Sequence, residues 1–186
     1  MTYTVLDLGA GGNPDCEATH CVDARNKTYI EGTIRKVAGI FKSATWPKKK
    51  EEGIQVIEEE IIPRIHDMDY KYNVDFNKKL PYPDKSFNKI VSHNSLAGNR
   101  PENIETYKNV RKLLKPGGYI VLAHGDAGVI EQTREPLKQV GFTGVVRQSL
   151  AHSPQVFDEV FREKNLIHPM NRPKRGTLSG ILGLRE

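Results

Sequence analysis

The sequence predicts a three-layer α/β sandwich around a mostly parallel sheet of seven strands, in a single domain. Three observations lead there. Short runs of β-forming residues alternate with stretches of helical period along the chain. A glycine cluster, Gly9 to Gly12, directly follows the first such run, the position where an open parallel sheet leaves room for a ligand. Tyr119 to Ala123 is almost wholly apolar, the mark of a strand covered on both faces.

Tyr3 to Leu8 is rich in β-formers and reads as the first strand, closed by the glycines; His20 to Asp23 is a second, very short one. Residues 24 to 50 show no clean period, because Gly32, Gly39 and Pro47 interrupt them. From Glu51 to His66, Ile54, Ile57, Ile61 and Ile65 recur every three or four positions. That is an amphipathic helix which Pro63 should kink or end. Asn73 to Phe76 reads as the tip of a third strand, and Phe87 to His93 as a fourth with Ile90 and Val91 at its centre. The clearest helix runs from Pro101 to Leu114, with Ile104, Tyr107, Val110, Leu113 and Leu114 on one stripe; Lys115-Pro116-Gly117-Gly118 stops it. After the apolar fifth strand come a helix from Val129 to Val140, a strand from Thr143 to Gln148, a helix from Pro154 to Glu163 and a last strand from Leu178 to Leu184.

With 186 residues, 37% hydrophobic and 27% charged, the chain can bury a core and is not of disordered composition. No apolar run reaches the roughly 18 residues of a membrane span, and the first residues lack the basic head of a signal peptide. A cytoplasmic location is expected. The net charge of +5 is compatible with an anionic partner such as RNA. Its densest runs are Lys48 to Lys50, at once offset by Glu51 and Glu52, and Arg172 to Arg175. Two cysteines, Cys16 and Cys21, make no disulfide framework, and with His20 they lack zinc-site spacing. No metal is expected.

Glycines just past a first strand let backbone approach a ligand; a tight turn with no ligand is the plain alternative. A nicotinamide dinucleotide site would want a glycine where Pro14 stands, and an acid farther on than Asp23. An acid at the end of a second strand, Asp23, can still accept hydrogen bonds from both hydroxyls of a ribose. Asp75, at the same rim, could accept one from an adenine amino group. A nucleoside-containing ligand fits these three features in order.

The sequence resembles the class I S-adenosylmethionine-dependent methyltransferases, in particular their small type 11 branch. The resemblance lies in Asp7-Leu8-Gly9-Ala10-Gly11-Gly12-Asn13, in Val74-Asp75-Phe76, in Leu80 to Ser92, in Val110 to Leu122 and in Val140-Gly141-Phe142. It implies a Rossmann-like sheet whose last strand is antiparallel, and S-adenosylmethionine as cofactor. Gly9, Ala10 and Gly11 would approach its methionine part, and Asp23 would hold the ribose hydroxyls. Ala24 would lie against the adenine, with Asp75 on its amino group and the Phe76 N–H on a ring nitrogen. Ser92 and His93 would border the methionine and the methyl group. The sequence departs from the family at Asn13, which stands for the usual last glycine, and in a first crossover with room for barely one helical turn.

No motif identifies a catalytic residue. His93 is the candidate general base, because it follows the fourth strand and imidazole takes a proton near neutral pH; a ring bonded to a neighbouring loop is the alternative. His124 and Asp126 follow the fifth strand and stand behind it as candidates. Tyr29, Trp46, Tyr70 and Tyr72, in or beside one extra segment, would form an aromatic lid or dock that segment on the body. That segment, residues 27 to 68, reads as an insertion between the second and third strands, and part of residues 27 to 50 is expected to fold over the cofactor. The methyl acceptor, a small molecule, a protein or RNA, is not legible. A non-catalytic module that regulates a partner protein is the competing reading.

Overall fold

The computed structural model describes residues 3–43, 47–93, 95–96, 98–150, 155–164 and 178–186. Seven strands form one sheet in the order β3-β2-β1-β4-β5-β7-β6. β1 is Val5–Leu8, β2 His20–Val22, β3 Asp69–Lys71, β4 Phe87–His93, β5 Leu114–His124, β6 Thr143–Leu150 and β7 Leu178–Leu184. The first five pair in parallel, and β7 runs antiparallel between β5 and β6. The predicted fold class is therefore the observed one.

Alternation along β1 decides what lies on each side. Leu6 and Leu8 join Ile90, Ile120 and Leu122 in the main core, since residues two apart share a face. Tyr107, Val110 and Leu113 of α4 (Pro101–Leu113) and Ile130 and Leu137 of α5 (Ala127–Gln139) cover that face. The register pairs Asp7 with Cys21 and Val91, so these three share the opposite face. There Ala10, Ala18 and Cys21 pack with Met68 and Tyr70. The same two residues touch a second apolar cluster, in which Ile34, Val56, Ile57, Ile61 and Ile65 meet Val156, Phe157, Val160 and Phe161 of α6 (Val156–Glu163).

Four details depart from the sequence-based expectation. Residues 27 to 43 form a helix, α1 (Lys27–Ser43), despite their glycines. Ile30 and Ile34 are buried, and a side chain added at Gly32 would meet nothing within 4 Å, so that glycine costs the helix only about 1 kcal/mol. Of the two outcomes expected at Pro63, a kink or an end, the helix does not end there. α2 (Pro47–Val56) passes through a π-helical turn, Ile57–Ile61, into α3 (Ile62–His66), and Ile62 N–H donates to Ile57 O. A proline has no amide hydrogen and crowds the preceding turn, and the wider turn just before it accommodates both effects. The third strand is Asp69–Lys71, so Asn73 to Phe76 form the turn beyond it; Asn73 has φ 58°. Finally, β5 begins at Leu114. The Arg185 guanidinium donates to the carbonyls of Arg111 and Lys112 at 2.7 and 2.9 Å, and also to that of Leu114. A cation thus caps the orphan carbonyls at the end of α4.

The first crossover holds no helix, only Gly9 to Thr19. Asn13 takes a structural role there. Its side-chain oxygen accepts the Phe157 N–H at 3.0 Å, and Pro14 O accepts the Val156 N–H at 2.9 Å. The crossover therefore caps the start of α6, and a glycine at position 13 would forfeit the side-chain part. Trp46, the start of the predicted helix at Pro154 and the basic run Arg172 to Arg175 lie outside the described residues. No helix among the described residues is long and apolar enough to cross a membrane.

Candidate functional site

The carboxyl ends of β1, β2, β3 and β4 converge on one rim. The glycine turn there is held from below and from the side. Gly9 N–H donates to Val22 O at 2.8 Å, Gly11 N–H to Asp23 Oδ2 at 2.9 Å, and Tyr70 Oη to Gly11 O. Gly9 has φ 74°, and a side chain there would start 2.3 Å from the Cβ and Oγ of Ser95. Only glycine fits, because it takes a left-handed conformation and leaves the close approach free.

Ala24, Asp75 and Phe76, three of the residues carried over by motif, line a single cavity of about 360 Å³. Ser95, Leu96, Asn103 and Thr106 face them. The Asp75 turn is built by α4: Thr106 Oγ1 donates to Asn77 Oδ1 at 2.9 Å, and the Asn109 amide donates to Lys78 O at 3.0 Å. The Asp75 carboxylate accepts the Asn77 N–H at 3.0 Å, an Asx turn that fixes its direction. A second cavity of about 310 Å³ shares Ser95 and Asn103 and adds Arg100, His124, Val129 and Gln132. His124 Nδ1 accepts the Asp126 N–H at 2.9 Å, so the neutral ring carries its proton on Nε2.

Asp23 is buried, and its carboxylate is already engaged. Burial works against its charge, but the Arg25 side chain and the backbone N–H groups of Arg25 and Gly11 outweigh that and hold it below the usual carboxylate range. Ala10 is buried in the turn.

Ser92 and His93 line neither cavity. Ser92 is fully buried and donates to Leu8 O at 2.9 Å, bracing the start of the glycine turn. His93 is 9% exposed, with Nε2 3.2 Å from Asp15 Oδ2. Asp15 N–H in turn donates to Asp7 Oδ2 at 2.7 Å. The three make a buried cluster under the crossover. Burial outweighs the pull of His93 and of the Asp15 N–H and raises the Asp7 carboxyl to about 7. Asp15 is lowered: burial opposes its charge, but His93, the Glu17 N–H and Lys89 prevail. The imidazole is thus tied to a neighbouring loop, the alternative weighed for it from sequence.

Arg25, Ser95 and Asp15 were not singled out by sequence. Ser95 and Asp15 meet partners 86 and 78 residues away and gave no local signal. Arg25 did: a cation two places after a rim acid is placed to pair with it. Tyr70 and Tyr72 stack with centroids 4.6 Å apart, and Tyr70 is packed under the glycine turn, whereas Tyr29 is exposed. Of the cysteine pair, Cys21 is buried against Met68 at 3.6 Å, and the His20 ring meets Tyr82 and Phe87 edge-on.

No family model and no curated protein sequence matches the chain. Solved structures do. An S-adenosylmethionine-dependent methyltransferase of Thermotoga maritima, named as a possible histamine N-methyltransferase, aligns with TM-score 0.56 and 13% identity over 100% of this chain and 83% of its own. A chain from the Haloferax volcanii complex of the Trm112 methyltransferase activator with a methyltransferase aligns with TM-score 0.53 and 17% identity, over 98% and 82%. The [4+2]-cyclase SpnF aligns with TM-score 0.51 and 18% identity, over 99% and 75%. A cyclase beside methyltransferases shows that fold alone does not fix the reaction. The sheet order, the antiparallel β7 and these alignments show that the chain has a mostly parallel, seven-stranded Rossmann-like fold, similar to that of these solved proteins.

Proposed function

We propose that the chain binds S-adenosylmethionine and transfers its methyl group to an acceptor, as the small type 11 branch of the class I enzymes does. One observation carries this reading: Ala24 and the Asp75-Phe76 pair, far apart in sequence, line one cavity, whose wall residue Ser95 donates to Gly9 O of the glycine turn. In this reading Ala24, Asp75 and the Phe76 N–H take the adenine in the cavity, while Asp23 takes the ribose hydroxyls and Gly9, Ala10 and Gly11, at the same rim, pass along the methionine part. When bound, the cofactor supplies a methyl already activated by a positive sulfur. The chain's own task is to align the acceptor and keep water out. Ser92 and His93 enter as positioning residues, one holding the Leu8 carbonyl and the other holding Asp15. The acceptor would come through the second cavity, where Arg100, the His124 Nε2–H and the amides of Asn103 and Gln132 offer donors.

The acceptor, a small molecule, a protein or RNA, is found by incubating the chain with methyl-labelled cofactor and separated pools of each. Label in one pool supports the reading. A second reading, a non-catalytic module that regulates a partner protein, is favoured by the Asp23 carboxylate being engaged within the chain. The Haloferax complex offers a precedent for a methyltransferase paired with a protein activator. Cofactor binding without label in any pool would select it.

A further inference from the structure

Asp23 has a side chain only 2% exposed, and its carboxylate already has a full set of donors. Oδ1 accepts from Arg25 N–H at 2.8 Å and from Arg25 Nε at 2.7 Å. Oδ2 accepts from Arg25 Nη2 at 2.7 Å and from Gly11 N–H at 2.9 Å. A carboxylate offers about four lone-pair sites, so no site is left for a ligand. The guanidinium also reaches across the glycine turn: a side chain on Gly11 would start 3.1 Å from Arg25 Nη2. Its outer face lies 5.0 Å over the ring of Tyr29, on the first turn of α1.

The four donors differ in what it takes to remove them. The two backbone N–H groups belong to the glycine turn and to the bend that follows β2, and cannot leave without unfolding the rim. The guanidinium is 42% exposed at the end of a flexible stem and can turn into water. We propose that Arg25 is a latch on the cofactor site. It competes with the ligand's paired hydroxyls for Asp23, must swing outward for the ligand to seat, and is held closed by Tyr29. This rests on the methyltransferase reading of the rim. It sets the affinity of the site and couples filling of the site to the first turn of α1, whose Tyr29 loses its cation when the latch opens.

The test is calorimetric titration of S-adenosylhomocysteine into the full chain and its variants Arg25→Ala, Arg25→Lys and Tyr29→Ala, with thermal melts to confirm folding. Arg25→Ala keeps both backbone donors to Asp23 and touches no core residue. It should bind about five- to tenfold tighter than the parent chain, the range a half-exposed bidentate pair supports. Arg25→Lys, which loses the fork, should fall between, and Tyr29→Ala should tighten binding about two- to threefold. Unchanged or weaker binding by folded Arg25→Ala, with the parent chain binding, overturns the latch and makes Arg25 a ligand contact instead. Binding by Arg25→Ala alone supports it in its strongest form. No binding by any of the four overturns the methyltransferase reading, and the latch with it.

Discussion

Replacing Asp7 by Asn should stabilise the protein, and by an amount that grows with pH. The Asp7 carboxyl is fully buried on the face opposite the main core; Oδ2 accepts from Asp15 N–H, and Oδ1 has no hydrogen-bond partner among the described residues. Burial raises its pKa from the ordinary 3.8 to about 7. Between those values the folded state binds a proton that the unfolded state has released, so stability falls as pH rises through this window, and the loss is complete above about 7. From the two pKa values, the cost relative to a group that stays neutral is about 2 kcal/mol near pH 5 and about 4 kcal/mol near pH 8.5. An Asn keeps the acceptor for Asp15 N–H and removes the charge. Urea unfolding of both proteins should therefore show an advantage for Asp7→Asn that widens by about 2 to 3 kcal/mol between these pH values. A difference that does not change with pH would refute the reasoning and mean that His93 keeps Asp7 ionised throughout.

Two further outcomes follow from the rim. Gly9→Ala forces a side chain into a φ of 74° and to within 2.3 Å of Ser95; it should cost upward of about 1 kcal/mol in stability and abolish binding of S-adenosylhomocysteine, and adding Ser95→Gly should restore part of the stability. If α1 is the cover of the cofactor, hydrogen exchange of backbone amides from 27 to 50 should slow when S-adenosylhomocysteine binds. Slowing confined to residues near Gly9, Asp23 and Asp75 would show that α1 is not a lid.

What could be read in the sequence was whatever local pattern enforces. Leu6 and Leu8, Ile90 and Val91, and the stripe of α4 gave the strands and the best helix, because their apolar spacing is what the core selects. Of the candidate residues that follow strand ends, Ala24, Asp75 and Phe76, which line one cavity, came with the motifs. α1 was not legible, since its glycines lower local helix preference while Ile30 and Ile34 gain their stability from tertiary packing. The third strand was misplaced because Val74 and Phe76, the more β-like residues, pack on the main core from a turn. The role of His93 depended on Asp15 in a crossover too short to suggest any role, and that of Asn13 on a helix more than 140 residues away, joined through Phe157. Such pairings come from topology. The Arg25 to Asp23 pair was the local signal that went unread.

The central claim, that this rim is a cofactor site, is tested most directly by calorimetric titration of S-adenosylhomocysteine into the intact chain and into Asp23→Ala. The account predicts a saturable heat with one ligand per chain, and its loss in a variant that melts as a folded protein. No heat from the intact chain and from Arg25→Ala alike at about millimolar ligand, the range in which even weak sites register, or equal affinity in Asp23→Ala, would contradict it.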